Sequence, residues 1–382
     1  MRVGIDTFNC DHGRSGIGSY LISLVKNLPD DGNNYDLFGS EIDRYTYDPG
    51  TGKTSFTGIS ISDTLLAERF WHLLSINRFA AKQKYDVILY PAGGRMLPRS
   101  FRVPGVAVIN DIPSRTYGAY ENSSLDSSII RRLRRVTKVI AASTFICKDL
   151  LKLNIDPKKI VVIHNGIDHS LFYPRDRQDM DTVLIKPFSI KRPYIIYASR
   201  IHYPGKKHVE LIRAFTIFKK KTGLPHRLVL AGSDGRNAEI VHREAMTSPV
   251  SSDIFLTGYF PHQNLPELYS CADACIFPSV TEGVGLPVIE AMATGIPVAC
   301  ARAGALPEIA GNNALYFNAD EPEEIASVME TILTDTAVRE KLIHDGLRWT
   351  KRFSWQKTAA GTVQVLAAVY QEKERIESPI SL

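Results

Sequence analysis

The segment from Asp273 to Gly295 constrains the fold more than any other part of the chain. It begins with a short apolar run that stops at Pro278, as expected of a buried parallel strand. Pro287 suits the first turn of a helix and Gly295 its C-terminal cap, so the sequence predicts a helix over residues 287–294. Between strand and helix lies a glycine-containing turn. Its bare backbone N–H groups, together with the helix dipole, favour an anion such as a phosphate.

Two carboxylates flank this turn. Glu282 lies in the turn itself and Glu290 about one helical turn inside the predicted helix. Two acceptors of different reach therefore lie beside one anion site, which suits a sugar and a ribose on either side of a diphosphate. Many strand–glycine–helix turns of α/β proteins bind no ligand, so the loop alone leaves a purely structural reading open.

The spacing of the two glutamates resembles the signature of the retaining glycosyltransferases of family 4, in which seven residues separate two glutamates. Residues 282–298 read EGVGLPVIEAMATGIPV, with Val284 in place of the usual aromatic residue. The resemblance implies an α/β GT-B fold, in which two doubly wound Rossmann-like domains face a central cleft. It also implies that the donor nucleotide-sugar is bound by a set of residues in this segment: Glu282, Gly283, Val284, Gly285, Leu286 and Glu290.

Composition agrees with a globular enzyme of two domains. The chain has 382 residues, 44% of them hydrophobic and 23% charged. No apolar run reaches the ~18 residues of a membrane-spanning helix, and the chain enters a predicted strand without a signal peptide. Its five cysteines indicate reduced thiols and a cytoplasmic location. The net charge of +5 does not indicate nucleic acid, and it is compatible with anionic substrates or an anionic membrane surface.

Strand-like and helix-like segments alternate along the chain in two successive series, which predicts two doubly wound parallel sheets. We predict an N-terminal acceptor-binding domain over residues 1–175 and a C-terminal donor-binding domain over residues 176–355. In the resembled family a final helix, here about 356–382, crosses back onto the N-terminal domain. The predicted strands are Arg2–Asp6, Tyr85–Tyr90, Val106–Asn110, Val136–Ala141 and Ile160–Ile163, then Tyr194–Ala198, Arg227–Ala231, Asp253–Leu256, Ala274–Phe277 and Pro297–Cys300.

A second site element directly follows the first strand of the second series. Arg200 and Lys206 lie in a loop shaped by proline and glycine, where two cations can converge on one diphosphate. A solvated basic loop is the plainer reading. The family has the pattern SRxxxPGKNH here, which implies that Arg200 and Lys206 bind the donor diphosphate. Lys207 replaces a common Asn and is a second candidate for this contact.

A glycine loop follows the first strand, with Gly16 and Gly18 before Tyr20. A dinucleotide fingerprint has a different glycine order and begins directly after the strand, so an oxidoreductase is disfavoured. The family has a GGxGRY-like loop at this position, near the donor phosphate and the acceptor pocket. The resemblance also places Gly232 and Tyr259 in loops that approach the nucleotide base.

Asn110 and Asp111 end a predicted strand of the N-terminal domain, where most family members have a His-Asp pair against the transferred sugar. An asparagine can hydrogen-bond a sugar hydroxyl but carries no charge. Retention in this family is attributed to front-face departure and attack, which needs no enzyme nucleophile. The catalytic candidates are Glu282, Arg200, Lys206, Asn110 and Asp111. Weaker matches are Ala142-Ser143 and His164-Asn165-Gly166-Ile167-Asp168.

Asp179 and Asp181 have the Asp-x-Asp form of metal-dependent glycosyltransferases of the other main fold. They lie in a polar, turn-rich segment rather than at the end of a strand. We therefore expect neither a metal nor another cofactor, the nucleotide-sugar being a substrate.

Two helical segments of the N-terminal half suggest peripheral contact with an anionic membrane. Residues 65–84 carry an apolar stripe of Leu66, Phe70, Leu73 and Leu74, with Arg69, Arg78, Lys82 and Lys84 nearby. A second cluster contains Arg131, Arg132, Arg134, Arg135 and Lys138. Ordinary helices that pack one face on the sheet are the alternative.

The sequence leaves the donor open among GDP-mannose-like, UDP- and dTDP-sugars, and it does not fix the oligomeric state. We expect a glycan or lipid-linked acceptor and a role in bacterial surface polysaccharide or lipopolysaccharide synthesis, at the inner face of the plasma membrane. The alternatives are a nucleotide-sugar epimerase of the same fold and an inactive subunit that binds sugar nucleotides.

Overall fold

The computed structural model describes residues 1–50, 52–112, 124–175, 182–185 and 188–377. The chain divides into two compact units. Residues 1–166, together with the chain from residue 353 onward, form the N-terminal unit, and residues 167–352 form the C-terminal unit. The sequence placed the division some residues later, after 175 and after 355. Asp179 and Asp181 lie outside the described residues.

The N-terminal unit is built on a parallel sheet. Within the described residues it has seven strands in the order β3-β2-β1-β4-β5-β6-β7, which is typical of a doubly wound fold. The strands are β1 Arg2–Asp6, β2 Asn34–Ser40, β3 Thr54–Ile59, β4 Val87–Tyr90, β5 Gly105–Ile109, β6 Lys138–Ala141 and β7 Ile160–Val162. Its helices are α1 Gly16–Lys26, α2 Arg44–Tyr47, α3 Leu65–Leu74, α4 Ile76–Gln83, α5 Ser124–Leu133 and α6 Thr144–Lys152.

Strand β2 has a charged residue at its centre, which hides it from hydrophobic pattern analysis. Asp36 is buried, and its carboxylate accepts hydrogen bonds from Tyr85 Oη at 2.6 Å, Ser55 Oγ at 3.0 Å and Thr57 Oγ1 at 3.0 Å. Because the neighbouring strand and Tyr85 satisfy the charge, the strand tolerates it. The sequence prediction missed β2 and also β3, which pairs with it.

A helix from the end of the chain completes the core of the N-terminal unit. This helix, α14, spans Trp355–Glu377. Trp355, Ala359, Val363 and Leu366 belong to the same buried cluster as Val3 and Leu21. A segment that is distant in sequence therefore supplies one wall of this core.

The C-terminal unit repeats the architecture. Its six described parallel strands follow the order β12-β11-β10-β13-β14-β15, and an antiparallel hairpin, β8-β9, precedes them. The strands are β8 Thr182–Ile185, β9 Phe188–Lys191, β10 Tyr194–Ala198, β11 Arg227–Ala231, β12 Ile254–Gly258, β13 Ala274–Phe277, β14 Val298–Ala301 and β15 Leu315–Phe317. The helices are α7 His208–Thr222, α8 Ala238–Thr247, α9 Leu265–Ser270, α10 Leu286–Ala293, α11 Leu306–Ala310, α12 Pro322–Thr334 and α13 Thr336–Thr350.

Two doubly wound parallel sheets are thus present, as predicted. Strands β10, β13 and β14 lie side by side in the C-terminal sheet. Because the strands are parallel, the loops at their carboxyl ends gather at one edge, where open α/β sheets bind ligands. Within the described part of the chain, no helix combines the length and the apolar character needed to cross a membrane.

Candidate functional site

The loop after β10 is fastened to the loop after β11. Ser199 N donates to Ala231 O at 2.9 Å, and Ile201 N donates to Ser233 O at 2.9 Å. A Cβ atom at Gly232 would lie 2.0 Å from Ser199 O, so only glycine permits this approach. Gly232 therefore sets the path of the backbone that carries Arg200, whose side chain is exposed.

Lys206 and Lys207 point to different partners. Lys206 Nζ donates to Glu282 Oε1, which lies in the loop after β13. Lys207 Nζ is held by Glu210 Oε1 at 3.0 Å and Asp320 Oδ1 at 2.5 Å. Lys207 is thus neutralised away from the glutamate loop, and Lys206 is the lysine that lies beside Glu282.

The loop that carries Glu282 is fixed on both sides. Val280 N donates to Gly205 O at 3.0 Å, which joins it to the Lys206 loop. Ala305 N donates to Glu282 O at 3.0 Å, which joins it to the loop after β14. Gly304 permits the second contact, since a Cβ there would lie 2.5 Å from Glu282 O. Tertiary contacts therefore hold the Glu282 backbone in place.

The helix that follows begins one residue before the position that the sequence indicated. Gly285 has a φ of 72° and precedes α10, with Leu286 as its first residue and Pro287 in its first turn. Gly283 is buried and Val284 half-buried in the turn before it. The backbone N–H groups at the start of α10 thus follow directly on the glutamate loop.

Glu290 is buried on α10 beside a histidine that the sequence analysis did not single out. Its Oε1 lies 3.5 Å from Nε2 of His262. The hydrogen bond with Glu290 raises the pKa of His262, and this effect outweighs the burial of the ring. His262 lies in the loop after β12, and no local sequence signal marks its approach to Glu290.

The loop after β10 has a positive electrostatic environment. The pKa of His202 is lowered, first by burial and then by the charges of Lys206, Arg236 and Arg200. A neutral His202 among three cations marks a region that favours an anion. The sequence analysis did not identify Arg236, because this residue lies in the loop after β11, far from the other cations in sequence.

A neutral histidine supports the same loop from inside the unit. His208 is fully buried, and burial lowers its pKa to about 3. Its Nε2 lies 3.2 Å from Ser199 Oγ. Tyr197 Oη donates to Lys206 O at 2.9 Å, which ties the β10 strand to the end of the loop. These contacts pre-organise the backbone between Ser199 and Lys206.

Tyr259 lies at the edge of this site. Its side chain is 73% exposed, and it follows Gly258, whose O accepts a hydrogen bond of 3.0 Å from Gly232 N. The three loops after β10, β11 and β12 are therefore linked by backbone hydrogen bonds. Tyr259 is free of packing that would prevent it from contacting a ligand.

The two glycines predicted as site residues in the N-terminal unit, Gly16 and Gly18, have different surroundings. A Cβ at Gly18 would lie 2.5 Å from Cys10 O, so Gly18 serves close packing at the start of α1. Gly16 has no atom within 4 Å of a Cβ position and is exposed. Ser15 caps the helix by accepting from Gly18 N at 3.3 Å. Gly16 is the position at which a ligand can approach the backbone.

Asn110 directly follows β5, and Asp111 after it is exposed. Asn165, which follows β7, is buried and donates from Nδ2 to Asn110 Oδ1 at 3.0 Å. Nδ2 of Asn110 and Oδ1 of Asn165 are buried and have no hydrogen-bond partner among the described residues. Asn110 thus keeps a buried donor, and Asn165 a buried acceptor, that no described residue satisfies.

The predicted residues fall into two groups. Arg200, Lys206, Gly232, Tyr259, Glu282, Gly283, Val284, Gly285, Leu286 and Glu290 belong to the C-terminal unit, and Gly16, Gly18, Asn110 and Asp111 belong to the N-terminal unit. No cluster of three or more His, Cys, Asp or Glu side chains suited to a metal ion occurs in the described ranges.

Comparison with known proteins covers both halves of the chain. A family model described as Glycosyltransferase Family 4 matches residues 14–171, and a model described as Glycosyl transferases group 1 matches residues 192–335. The O-antigen chain mannosyltransferase B of Escherichia coli is 26% identical over 377 residues, which are 95% of this chain and 98% of the relative.

Solved structures match the whole architecture. Sucrose-phosphate synthase from Thermosynechococcus elongatus aligns with a TM-score of 0.74 and 19% identity, covering 97% of this chain and 100% of its own. HepE from Anabaena, solved in complex with UDP-glucose, aligns with a TM-score of 0.72 and 18% identity, covering 96% of this chain and 100% of its own. These likenesses confirm the predicted GT-B fold.

Proposed function

Since the chain belongs to the family 4 glycosyltransferases, enzymes of group 1 with the GT-B fold, we propose that it moves a sugar from a nucleotide-diphosphate sugar to a hydroxyl group of a glycan or lipid-linked acceptor. The reaction retains the anomeric configuration and needs no metal. The observation that carries this proposal is the pairing of Lys206 with Glu282 inside the cationic region of the C-terminal unit.

The cations would stabilise the leaving diphosphate. Arg200 offers a planar fork, and Lys206 has three N–H donors, so it can keep Glu282 and still bind a phosphate oxygen. The backbone N–H groups of residues 283–286 add donors at the start of α10. Preorganised donors of this kind are each worth about 3–4 kcal/mol of transition-state stabilisation. They would supply the charge that a divalent cation supplies in metal-dependent enzymes.

The two glutamates would hold the two sugar rings of the donor. Glu282, close to the cations, would accept from hydroxyls of the transferred sugar. Glu290, buried on α10, would accept from the ribose hydroxyls. Oε1 of Glu290 lies 3.5 Å from Nε2 of His262, which would hold the carboxylate in place while its oxygens accept from the ribose.

Asn110, Asp111 and Gly16 would serve the transferred sugar and the acceptor. Asn110 has an amide N–H without a partner among the described residues, which suits a neutral hydrogen bond to a hydroxyl. No charged group is required here if the acceptor attacks from the face that the diphosphate leaves. The donor phosphates would shield that face and accept the proton.

A mannose donor is the first candidate. The relative that aligns over 377 residues, the O-antigen chain mannosyltransferase B of Escherichia coli, favours GDP-mannose among the three donor classes that the sequence leaves open. HepE was solved with UDP-glucose, so a UDP-sugar is the second donor to test. The relative's O-antigen role supports a function in surface polysaccharide synthesis, with a lipid-linked acceptor at the inner face of the plasma membrane.

Two other functions make different predictions. A nucleotide-sugar epimerase would convert its donor without any acceptor. An inactive subunit would bind a nucleotide and convert nothing. The presence of Glu282, Glu290, Arg200 and Lys206 at one site favours the transferase.

The test is a thermal-shift screen with GDP, UDP and dTDP, followed by transfer assays with the matching sugar donors. A ligand at 100 times its Kd adds about 2.7 kcal/mol of stability. Arg200→Ala should lower transfer at least tenfold through the loss of a preorganised donor. Glu290→Ala should also lower it at least tenfold, because it removes the acceptor for the ribose hydroxyls. Arg243→Ala, an exposed arginine of α8, is the matched control and should leave transfer unchanged. Wild-type rates in both site variants at subsaturating donor would refute the assignment.

A further inference from the structure

Helix α3 presents an apolar face to solvent. Leu65 is 48% exposed, Leu66 65%, Phe70 61% and Leu74 72%. Residues 66, 70 and 74 follow one another at four-residue spacing, so they form one stripe along the helix. Four large apolar side chains on a helix of 10 residues make an unusual concentration for a surface that meets only water.

The opposite face of α3 is anchored in the N-terminal unit. The ring of Trp71 lies 5.1 Å from that of Phe8, and His72 is buried with Nε2 2.7 Å from Asp6 Oδ2. His72 Nδ1 lies 2.8 Å from Glu68 O. These contacts fix the rotation of the helix about its axis, so the apolar stripe cannot turn inward.

Arginines lie beside this stripe. Arg69 is half-buried on α3 and borders the stripe between Leu65 and Leu66. Hydrogen bonds from Arg132 Nη1 to Leu97 O at 2.7 Å and from Arg135 Nη1 to Arg99 O at 3.3 Å place Arg99 beside the end of the helix that carries Arg131. Burial lowers the pKa of Arg132, and the charges of Arg69, Arg99 and Arg131 lower it further. Among the side chains that the structure describes, no carboxylate forms an ion pair with Arg69, Arg99 or Arg131. The cluster is therefore an uncompensated positive patch.

The helix that carries Arg131 and Arg132 contributes charge only. Leu133 at its end and Val136 after it are fully buried, so its apolar side packs on the sheet in the ordinary way. Arg132 Nη1 donates to Leu97 O at 2.7 Å, which holds the cluster against the N-terminal unit. The apolar part of the surface thus comes from α3, and the cationic part comes from Arg69 on α3, Arg99 before β5 and Arg131 on α5.

We propose that this surface, called the α3 surface and consisting of Leu65, Leu66, Phe70, Leu74, Arg69, Arg99 and Arg131, docks the protein on an anionic membrane. Apolar side chains would enter the boundary between headgroups and acyl chains while the arginines bind lipid phosphates. The inference rests on the proposed function, because a lipid-linked acceptor has its hydroxyl at such a boundary. A second copy of the chain is a poorer occupant, since a symmetric interface would bring two arginine clusters together.

Co-sedimentation tests the proposal with the full chain. At low salt, wild type should sediment with vesicles of phosphatidylcholine containing phosphatidylglycerol and stay in solution with phosphatidylcholine alone. Phe70→Ser/Leu74→Ser should weaken vesicle binding at least tenfold, given the apolar area removed. Arg99→Gln/Arg131→Gln should weaken it about 25-fold, at about fivefold for each charge.

Matched controls separate this surface from general effects. Tyr45→Ser removes an even more exposed ring, 92% against 61% for Phe70, elsewhere on the N-terminal unit, and Lys220→Gln/Lys341→Gln removes two exposed charges from the C-terminal unit. Both controls should bind vesicles like wild type. Nucleotide binding, measured by thermal shift, should be unchanged in every variant, so failure of the proposed donor site would be seen separately.

Three outcomes would overturn the proposal. The first is absence of sedimentation of wild type with anionic vesicles at low salt. The second is equal loss of binding in the control variants. The third is concentration-dependent dimerisation that Phe70→Ser/Leu74→Ser abolishes while vesicle binding stays absent, which would make the α3 surface a contact between copies.

Discussion

Asn165 holds the side chain of Asn110 through a hydrogen bond of 3.0 Å from its amide nitrogen to the other amide's oxygen. The bond leaves one buried N–H on Asn110 and one buried C=O on Asn165 without partners among the described residues. A hydroxyl group can accept a hydrogen bond from such an N–H and can donate one to such a C=O. If the proposed function is correct, the pair would be a neutral counterpart of the histidine that the family pattern has at position 110.

Replacement of either amide should reduce turnover and spare nucleotide binding. We expect Asn110→Ala and Asn165→Ala each to lower donor turnover by the ~0.5–1.5 kcal/mol of a neutral hydrogen bond, or about 2- to 12-fold. The double variant should lose less than the sum, because the two residues act through one contact. Turnover and nucleotide-diphosphate affinity are the two measurements. Unchanged turnover would place Asn110 outside the site, whereas lost nucleotide affinity would contradict a nucleotide site in the C-terminal unit.

Adjacent lysines provide a matched pair for the diphosphate contact. Lys206→Met should weaken donor binding at least tenfold, because it removes the cation beside Glu282 and leaves that carboxylate without its partner. Lys207→Met should leave donor binding near wild type, since Glu210 and Asp320 already neutralise Lys207. Isothermal titration with the nucleotide diphosphate measures both. The reverse order of effects would assign the contact to Lys207.

Transfer should proceed without a divalent cation. The proposal assigns charge stabilisation to Arg200, Lys206 and the backbone at the start of α10, so excess EDTA should leave the rate unchanged. The measurement is donor turnover before and after chelation, with manganese and magnesium added back. A loss that manganese restores would show that a metal takes part and would renew interest in Asp179 and Asp181.

The buried pair of His72 and Asp6 should make the N-terminal unit more stable in mild acid than in mild base. Burial alone would lower the pKa of His72, but Asp6 and the Glu68 carbonyl outweigh it, so the pKa is raised. The stabilisation is complete below the unfolded pKa of about 6.5 and is lost as pH rises through the higher folded value.

His72→Leu should remove this pH dependence. It should also lower the free energy of unfolding in mild acid by about 3–5 kcal/mol, since Asp6 stays buried without its partner. Denaturation followed by tryptophan fluorescence includes a signal from the same cluster, because the Trp71 and His72 rings lie 5.1 Å apart. An equal pH slope in wild type and variant would show that His72 is not the titrating group.

Local patterns predicted the C-terminal sheet well. Strands β10, β11 and β13 have the bounds that the sequence indicated, because each is a short apolar run between turn residues. Strand β2 was missed because Asp36, a residue atypical of strands, is satisfied only by tertiary partners such as Tyr85. Strand β15, Leu315–Phe317, is too short to give a periodic signal.

In the candidate site, too, residues marked by a local motif were predicted, and residues that only tertiary contacts bring to the site were not. Glu282, Glu290, Arg200 and Lys206 were found because each belongs to a short motif. Arg236 and His262 were missed because their approach to the site depends on loops after different strands. The contrast between the partners of Lys206 and Lys207 also became visible only in the structure, since Asp320 lies far along the chain from both.

The placement of α14 has a consequence for how the chain acquires its structure during synthesis. Trp355, Ala359 and Leu366 complete a core whose other members, such as Val3 and Leu21, leave the ribosome first. The apolar surface of the first sheet that α14 covers therefore stays exposed until the whole second unit has been synthesised. That second unit is a continuous segment with its own core and can fold while the first is still unfinished. The part of the protein that is translated first is thus the part that matures last.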